Sequence, residues 1–206
     1  MKINLPELNA TLPMPAPNQA LVDALLNRRS TMVKDIDPNN GPSDDELLDI
    51  LKVASRVPDH GKINPWRFVK FSGEARRKLG VKMADIYKAK HPEMDENHYA
   101  MESARFERAH TILLLISSPI PHPKAPEFEQ LMSAGGLGFA INLAANAFGY
   151  AATWLTEWVA FDDDIKPLFN MTESEKIIGF FFIGKPKNPP TERERPNVSE
   201  LLSEWK

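Results

Sequence analysis

A chain of 206 residues is long enough for one full domain that buries roughly 70% of the surface its unfolded form exposes. A hydrophobic fraction of 42% and a charged fraction of 26% are those of a soluble globule, and a net charge of −3 without a long run of one sign excludes a basic nucleic-acid footprint. The lack of cysteine excludes disulfides, thiolate metal sites, cysteine-held iron–sulfur clusters and a thiol nucleophile. Prolines at 6, 13, 15 and 17 interrupt the first thirty residues before an apolar core of signal-peptide length can form. No apolar run approaches the ~20 residues of a membrane span. The expectation is a cytoplasmic protein with neither a membrane nor a nucleic-acid partner.

In chain order, residues 1–17 are proline-spaced and aperiodic, an N-terminal arm. Asn18 is placed to cap a helix through Asn27, with Leu21 and Leu25, and Val22 and Leu26, at four-residue spacing. After a turn-rich interval at 37–42, Ser43 and Glu46 form a capping box for a helix whose core stripe is Leu47, Ile50, Leu51 and Ala54. Pro58 stops that helix, and Pro65 starts an extended run, Trp66 to Phe71. Ser72-Gly73 turns into a helix carrying Leu79, Met83 and Ile86, and its charged continuation over 88–109 reads as a flap.

Residues 111–116 read as a buried strand, and 121–126 as a stiff linker. Residues 127–148 are apolar nearly all round, which predicts a central buried helix. Each of its glycines costs helix propensity, an expense that close approach of another helix or of a flat ligand would offset. A short strand near 152–155, a helix around 162–169 and a strand over 177–183 complete the elements. The tail, 187–206, is proline-rich and then helical through Leu201 and Trp205. With no repeat and no break in composition, residues 18–186 are expected to form a single α+β domain with a long helix packed on a sheet.

Most motifs fail. Gly136-Leu137-Gly138 lacks the third glycine of a dinucleotide fingerprint, because Ile141 stands there, and no strand precedes it. The histidines show no zinc spacing, Ser133 lacks the glycines of a nucleophile elbow, and Asp162-Asp163-Asp164 reads as the acidic start of a helix, so no metal site is expected. Two stretches remain. Arg28-Arg29-Ser30, at a helix exit, can grip a phosphate through charge-assisted bonds or merely complement the helix C-terminus. The loop Arg56-Val57-Pro58-Asp59-His60-Gly61-Lys62 carries polar chemistry between a helix and a strand, where sites tend to be placed.

Taken together, Arg28-Arg29-Ser30, Arg56-x-Pro58-Asp59-His60 with Pro65-Trp66-x-Phe68, Met132-Ser133-Ala134-Gly135, and Gly149-Tyr150-x-x-x-Trp154 resemble the FMN-dependent nitroreductases, most of all the minimal bacterial YdjA-like branch. The resemblance runs in order over about residues 18–186. It implies a nitroreductase-like fold, with a central, mainly antiparallel sheet flanked by helices, in an intertwined homodimer holding two non-covalent FMN at the subunit interface. By position, Arg28, Arg29 and Ser30 are implied at the phosphate, Arg56 and His60 at the flavin from the loop, and Trp154, Leu155 and Thr156 at the ring. Residues 144–149 are similar to the stretch that meets the nicotinamide nucleotide. Lys62 stands where larger members place an asparagine, and is a candidate cation for the reduced flavin. Arg193 or Arg195 is the candidate tail residue for the phosphate.

The residues agree with that chemistry, since a flavin carries the redox step and the protein needs no nucleophile or acid–base pair of its own. Trp154 faces the ring or packs beneath it, and Trp66 reads as core. The implied activity is hydride transfer from NAD(P)H to FMN, and onward reduction of a small electron-poor acceptor such as a nitroaromatic or quinone. The alternatives are dehydrogenation or reductive dehalogenation on the same fold, or a non-catalytic FMN-binding or storage protein.

Overall fold

The structure, a computed structural model, describes residues 3–206. Four strands form one sheet: β1 (Trp66–Ser72), β2 (Thr111–Ser117), β3 (Ala151–Leu155) and β4 (Lys176–Gly184). Their spatial order is β1-β2-β4-β3, and every neighbouring pair is antiparallel. The helices are α1 (Gln19–Asn27), α2 (Asp44–Ala54), α3 (Glu74–Lys90), α4 (Glu96–Ser103), α5 (Glu127–Ala147) and the short α6 (Val198–Leu201). None of the described helices is long and apolar enough to cross a membrane. The architecture is the α+β one expected.

The central strands are covered on both faces, so they read as unbroken apolar runs although the sheet is antiparallel. Along β2, Leu113 and Leu115 join a core with α2 and α5, built on Leu47, Ile50, Leu137 and Ile141. The alternate residues Ile112, Leu114 and Ile116 join a second core with Leu79 and Met83 of α3, Phe106 and Phe169. In β4, Phe181 and Ile183 turn to the first core, Phe180 and Phe182 to the second.

Local signals explain the ends of these elements. Ser43 accepts from the Glu46 N–H while Glu46 accepts from the Ser43 N–H, the expected capping box. Gly149, at φ 77°, closes α5, with its N–H donating to the Asn146 carbonyl and that of Tyr150 to the Ala145 carbonyl.

Four expectations need correction. Residues 88–109 are not a flap: α3 runs to Lys90, α4 and a 3-10 turn (Arg105–Arg108) follow, and Phe106 is fully buried in the second core. Their charges had suggested solvent, but Glu102 and Arg105 pair with each other and are largely buried. The 162–169 helix is a 3-10 helix (Asp163–Phe169) containing Pro167, which has no N–H to sustain an α-helical bond. In the tail, helix is confined to α6, with Leu201 and Trp205 exposed. Finally, α5 buries one face only; Phe128 and Met132 remain 70% and 61% exposed. The apolar residues of α1, namely Leu21, Val22, Leu25 and Leu26, are likewise all exposed.

One buried ionic knot ties the loop before β4 to the sheet. Arg67 of β1 meets Glu175 with two bonds, Nε to Oε1 at 2.7 Å and Nη2 to Oε2 at 3.0 Å. Ser118 Oγ and the Thr172 N–H also donate to that carboxylate, and Arg67 donates to the Phe169 carbonyl. The guanidinium beside it and these donors hold the Glu175 carboxyl down at about 2, against an ordinary 4.5. A depressed carboxylate contributes stability above its unfolded value, and that contribution is lost as pH falls from about 4.5 towards 2. With Arg67 partly in solvent, Glu175→Gln is expected to lower the unfolding free energy at pH 7 by about 1–3 kcal/mol. In urea titrations the gap between wild type and variant should close over that acid range.

Candidate functional site

The site begins where α1 ends. Arg28 is the C-cap of α1, its N–H donating to the Ala24 carbonyl, and the chain then leaves extended through Arg29 and Ser30. The Thr31 N–H donates to the Ala152 carbonyl of β3 at 3.3 Å, so the triplet is laid beside the end of that strand. A cavity of about 380 Å³ results, lined by Arg28, Ser30, Phe139, Asn142, Trp154 and Thr156. Four of the eight sequence-predicted site residues (Arg28, Ser30, Trp154 and Thr156) are therefore brought together. Arg29 lines a neighbouring apolar cavity of about 350 Å³ with Asn146, Gly149 and Tyr150, and a narrow cleft with Ser30 and Arg193. Leu155 lines none of these cavities and packs against the second core.

The other predicted pair lies elsewhere. His60 lines a cavity of about 320 Å³ with Asp59, Glu129, Met132, Ser133 and Gly136, and its Nδ1 is 2.8 Å from Glu129 Oε2. Arg56 is exposed and lines neither cavity. Both cavities open along α5: Met132 and Gly136 border one, Phe139 the other, at the i, i+4, i+7 spacing of one helical stripe. The His60 loop is tightly shaped. Gly61, Lys62 and Asn64 all have positive φ, while Asp59 accepts from the N–H groups of Lys62 and Asn64.

Within the Arg28 cavity the electrostatics favour an anion. Among the described residues no carboxylate pairs with Arg28, whose guanidinium instead stands 5.6 Å over the Phe139 ring. Of the tail candidates, Arg193 reaches the cleft beside Ser30, whereas Arg195 is bound to Glu192 and the Leu26 carbonyl. Tyr150, in the apolar cavity, is pushed up to about 12 by burial and the Glu46 carboxylate, so it stays a neutral phenol near neutral pH.

The indole of Trp154 is fixed. Its N–H donates to the Ile178 carbonyl at 2.8 Å, and it lies between Gly138 and Gly179, where an added Cβ would come within 2.7 Å and 2.0 Å of it. The flat partner that offsets the Gly138 helix cost is thus this indole. Gly135 and Gly136 face open space.

Three features were missed by sequence reasoning. Phe139 and Asn142 were read only as parts of an apolar helix. Asn142 is 5% exposed, with Nδ2 3.4 Å from the Gly138 carbonyl and Oδ1 left without a partner. An amide in the middle of so apolar a segment was the available signal. Glu157, directly after Thr156, adopts φ 52° and ψ −170°, a region that costs a non-glycine residue about 1–3 kcal/mol. The backbone N–H groups of Thr156 and Glu157 find no acceptor among the described residues.

A guanidinium, a hydroxyl, the Thr156 N–H and the Asn142 acceptor, all without a partner among the described residues, and an indole surface around one ligand-sized cavity suit an anionic ligand with a flat polar ring. These residues fit FMN: Arg28 and Ser30 for the phosphate, the free backbone donors and Asn142 for the polar atoms beyond it.

Comparison with known proteins agrees with that chemistry. In structure, the chain is similar to a nitroreductase-like family protein from Bacillus cereus, with a TM-score of 0.75 and 18% identity over 96% of this chain and 100% of that one. It is also similar to a "putative nitroreductase in complex with fmn" from Desulfovibrio desulfuricans, with a TM-score of 0.66 and 20% identity over 93% and 99% of the two chains. These likenesses establish the fold. In sequence, it is 30% identical to the "Putative NAD(P)H nitroreductase YdjA" of Escherichia coli K12 over 168 residues, 81% of this chain and 88% of that protein. A "Putative NAD(P)H nitroreductase" of Haemophilus influenzae is 29% identical over 147 residues, 69% and 77% of the two chains. The sequence model of the Nitroreductase family matches residues 25–185, and the chain belongs to that family of FMN-using oxidoreductases.

Proposed function

We propose that this protein oxidises NAD(P)H and passes the electrons to a small electron-poor acceptor, a nitroaromatic or a quinone, at FMN held in the Arg28 cavity. The observation that carries the reading is the single cavity joining Arg28, free of carboxylate partners, to Ser30, Trp154 and Thr156 in a chain of the Nitroreductase family. When bound, FMN supplies the two-electron redox chemistry. The chain's own part is to bind and orient it. Arg28 and Ser30 neutralise and fix the phosphate, with Arg29 and Arg193 lending positive charge at the adjoining cleft. The Trp154 indole gives a rigid wall because its N–H is committed and its two ends abut Gly138 and Gly179. NADH and NADPH, assayed anaerobically with nitroaromatic and quinone acceptors, test the activity. Flavin uptake without NAD(P)H oxidation would leave only a flavin-binding protein.

The site is completed, in this reading, by a second copy of the chain. The Arg56–His60 loop and the Arg28 cavity are separate on one chain, yet both border the stripe of α5 that leaves Phe128 and Met132 exposed. The bare apolar residues of α1 add to that surface. A two-fold pair would cover both helices and bring the loop of one subunit to the cavity of the other. Obligate interfaces of this kind bury on the order of 2,000 Å² or more. Light scattering should find a dimer at micromolar concentration, and a flavin-loaded monomer would refute the shared site.

Arg28→Ala separates a phosphate grip from a helix cap. A bond to a charged group is worth roughly 1.5–3 kcal/mol, so its loss should raise the FMN dissociation constant on the order of 10- to 150-fold. Riboflavin, which lacks only the phosphate, should be little affected. Ser30→Ala should act in the same direction and more weakly. Titration of flavin-free protein with each ligand reads the answer, and equal losses for FMN and riboflavin would place the phosphate elsewhere.

A further inference from the structure

Glu157 joins two costly arrangements in one residue. Its backbone, at φ 52° and ψ −170°, is one that glycine adopts freely and other residues avoid. It follows Thr156 at the rim of the Arg28 cavity, and the N–H groups of both residues are unsatisfied among the described residues. Its carboxylate, in contrast, is engaged through one oxygen. Arg105 Nη1 donates to Glu157 Oε2, and Arg108 Nη2 stands 3.6 Å from the same oxygen. Arg105 is held in turn by Glu102, through Nε to Oε2 at 2.9 Å, and that oxygen also accepts from Trp158 Nε1 at 2.9 Å. Because Trp158 is the next residue after Glu157, the contacts close a ring around the turn. The side chains of Arg105 and Glu102 are only 13% and 10% exposed and that of Glu157 31%, so water competes weakly for the Arg105–Glu102 bonds and somewhat more for the Arg105–Glu157 bond.

We propose that Glu157 is a positioning residue: its ion pair with Arg105 holds the 156–157 peptide in the strained geometry that offers two free N–H donors to the ligand of the Arg28 cavity. Glycine at this position would reach the same geometry without strain and leave it as easily. Glutamate reaches it at a cost and is clamped there. The partner of the free donors is FMN under the reading above, on which this inference rests. Its consequence is that the segment around α4, remote in sequence, sets the shape of the cavity rim through one guanidinium.

The test compares the full chain, freed of flavin, with Glu157→Gln, Glu157→Gly and Glu157→Ala, titrating each with FMN and recording the visible circular dichroism and reduction potential of the bound flavin. Alanine removes the clamp and keeps the Cβ penalty, so the turn relaxes; the FMN dissociation constant should rise about tenfold or more, and dichroism and potential should move. Glycine removes clamp and penalty together and should stay within about threefold of wild type. Glutamine, which still accepts from Arg105, should fall between them. If the ring is only structural, alanine and glycine will lower the urea midpoint while affinity, dichroism and potential stay at wild-type values, which overturns the proposal. Equal weakening by alanine and glycine overturns it too, because the backbone is then not what the carboxylate controls. Should Glu157→Ala fail to fold, Arg105→Lys keeps the buried charge but cannot bridge both carboxylates. It is expected to shift affinity and potential as alanine would, and unchanged values overturn the proposal. A wild type that takes up no FMN would refute the flavin reading and this inference together, whereas the other failures refute this inference alone.

Discussion

The indole of Trp154 is the joint at which α5, β3 and β4 meet, and the position of the cavity follows from it. The ring occupies the space that a side chain at Gly138 or at Gly179 would need. The spacing between helix and sheet is therefore set by the thickness of one aromatic group. The β2–β4 register slips between Leu115 and Ile116, with Ile178 as the extra residue, and the Ile178 carbonyl takes the indole N–H. A bulge that bends the strand thus also satisfies the only polar atom of the joint. With the indole locked, Phe139 and Asn142 of α5 and Thr156 beyond β3 stand around one space without any of them having to touch.

The distribution of apolar residues is the second constraint. Burying the sheet on both faces uses the alternate residues of β2 and β4 in two separate cores. Neither core extends over α1, and neither reaches the outer stripe of α5, so Leu21, Val22, Leu25, Leu26, Phe128 and Met132 remain bare. Bare apolar side chains of this kind mark an interaction site where they form one contiguous patch. Met132 lines the His60 cavity, and Phe139, 47% exposed on the same stripe of α5, lines the Arg28 cavity, so exposed apolar side chains stand at the mouths of both.

Local physics made the elements legible. The Ser43–Glu46 box, the proline stops and the apolar runs of β2 and β4 each act within a few residues, and each appeared where its pattern placed it. Long-range pairing was not legible. That Arg28 and Ser30 lie near Trp154 and Thr156 depends on the Thr31 bond to Ala152, across more than a hundred residues, and only family resemblance pointed to it. Residues 88–109 were misread for the same reason. Their charges look solvated in a list, but Arg105 is shared between Glu102, three residues away, and Glu157, fifty-two residues away. Dense charge marks a solvated segment only when its partners are absent.

Among the described residues, three of the five non-glycine positions with positive φ lie in the His60 loop or at the Arg28 cavity, Asn9 and Asn170 being the other two. The left-handed Lys62 and Asn64 lie in the His60 loop, and the orphaned oxygen of Asn142 and the strained Glu157 lie at the Arg28 cavity. Strain and unsatisfied polar atoms persist only where the surrounding structure over-determines them. Here the restraints are identifiable: Asp59 bridges the loop, Gly138 accepts from Asn142, and Arg105 clamps Glu157. Their cost is therefore met by the folded chain in advance. A ligand that supplies the missing donors and acceptors meets groups already in place, and it need not spend part of its binding energy on ordering them. That is the thermodynamic condition for holding a ligand in one orientation.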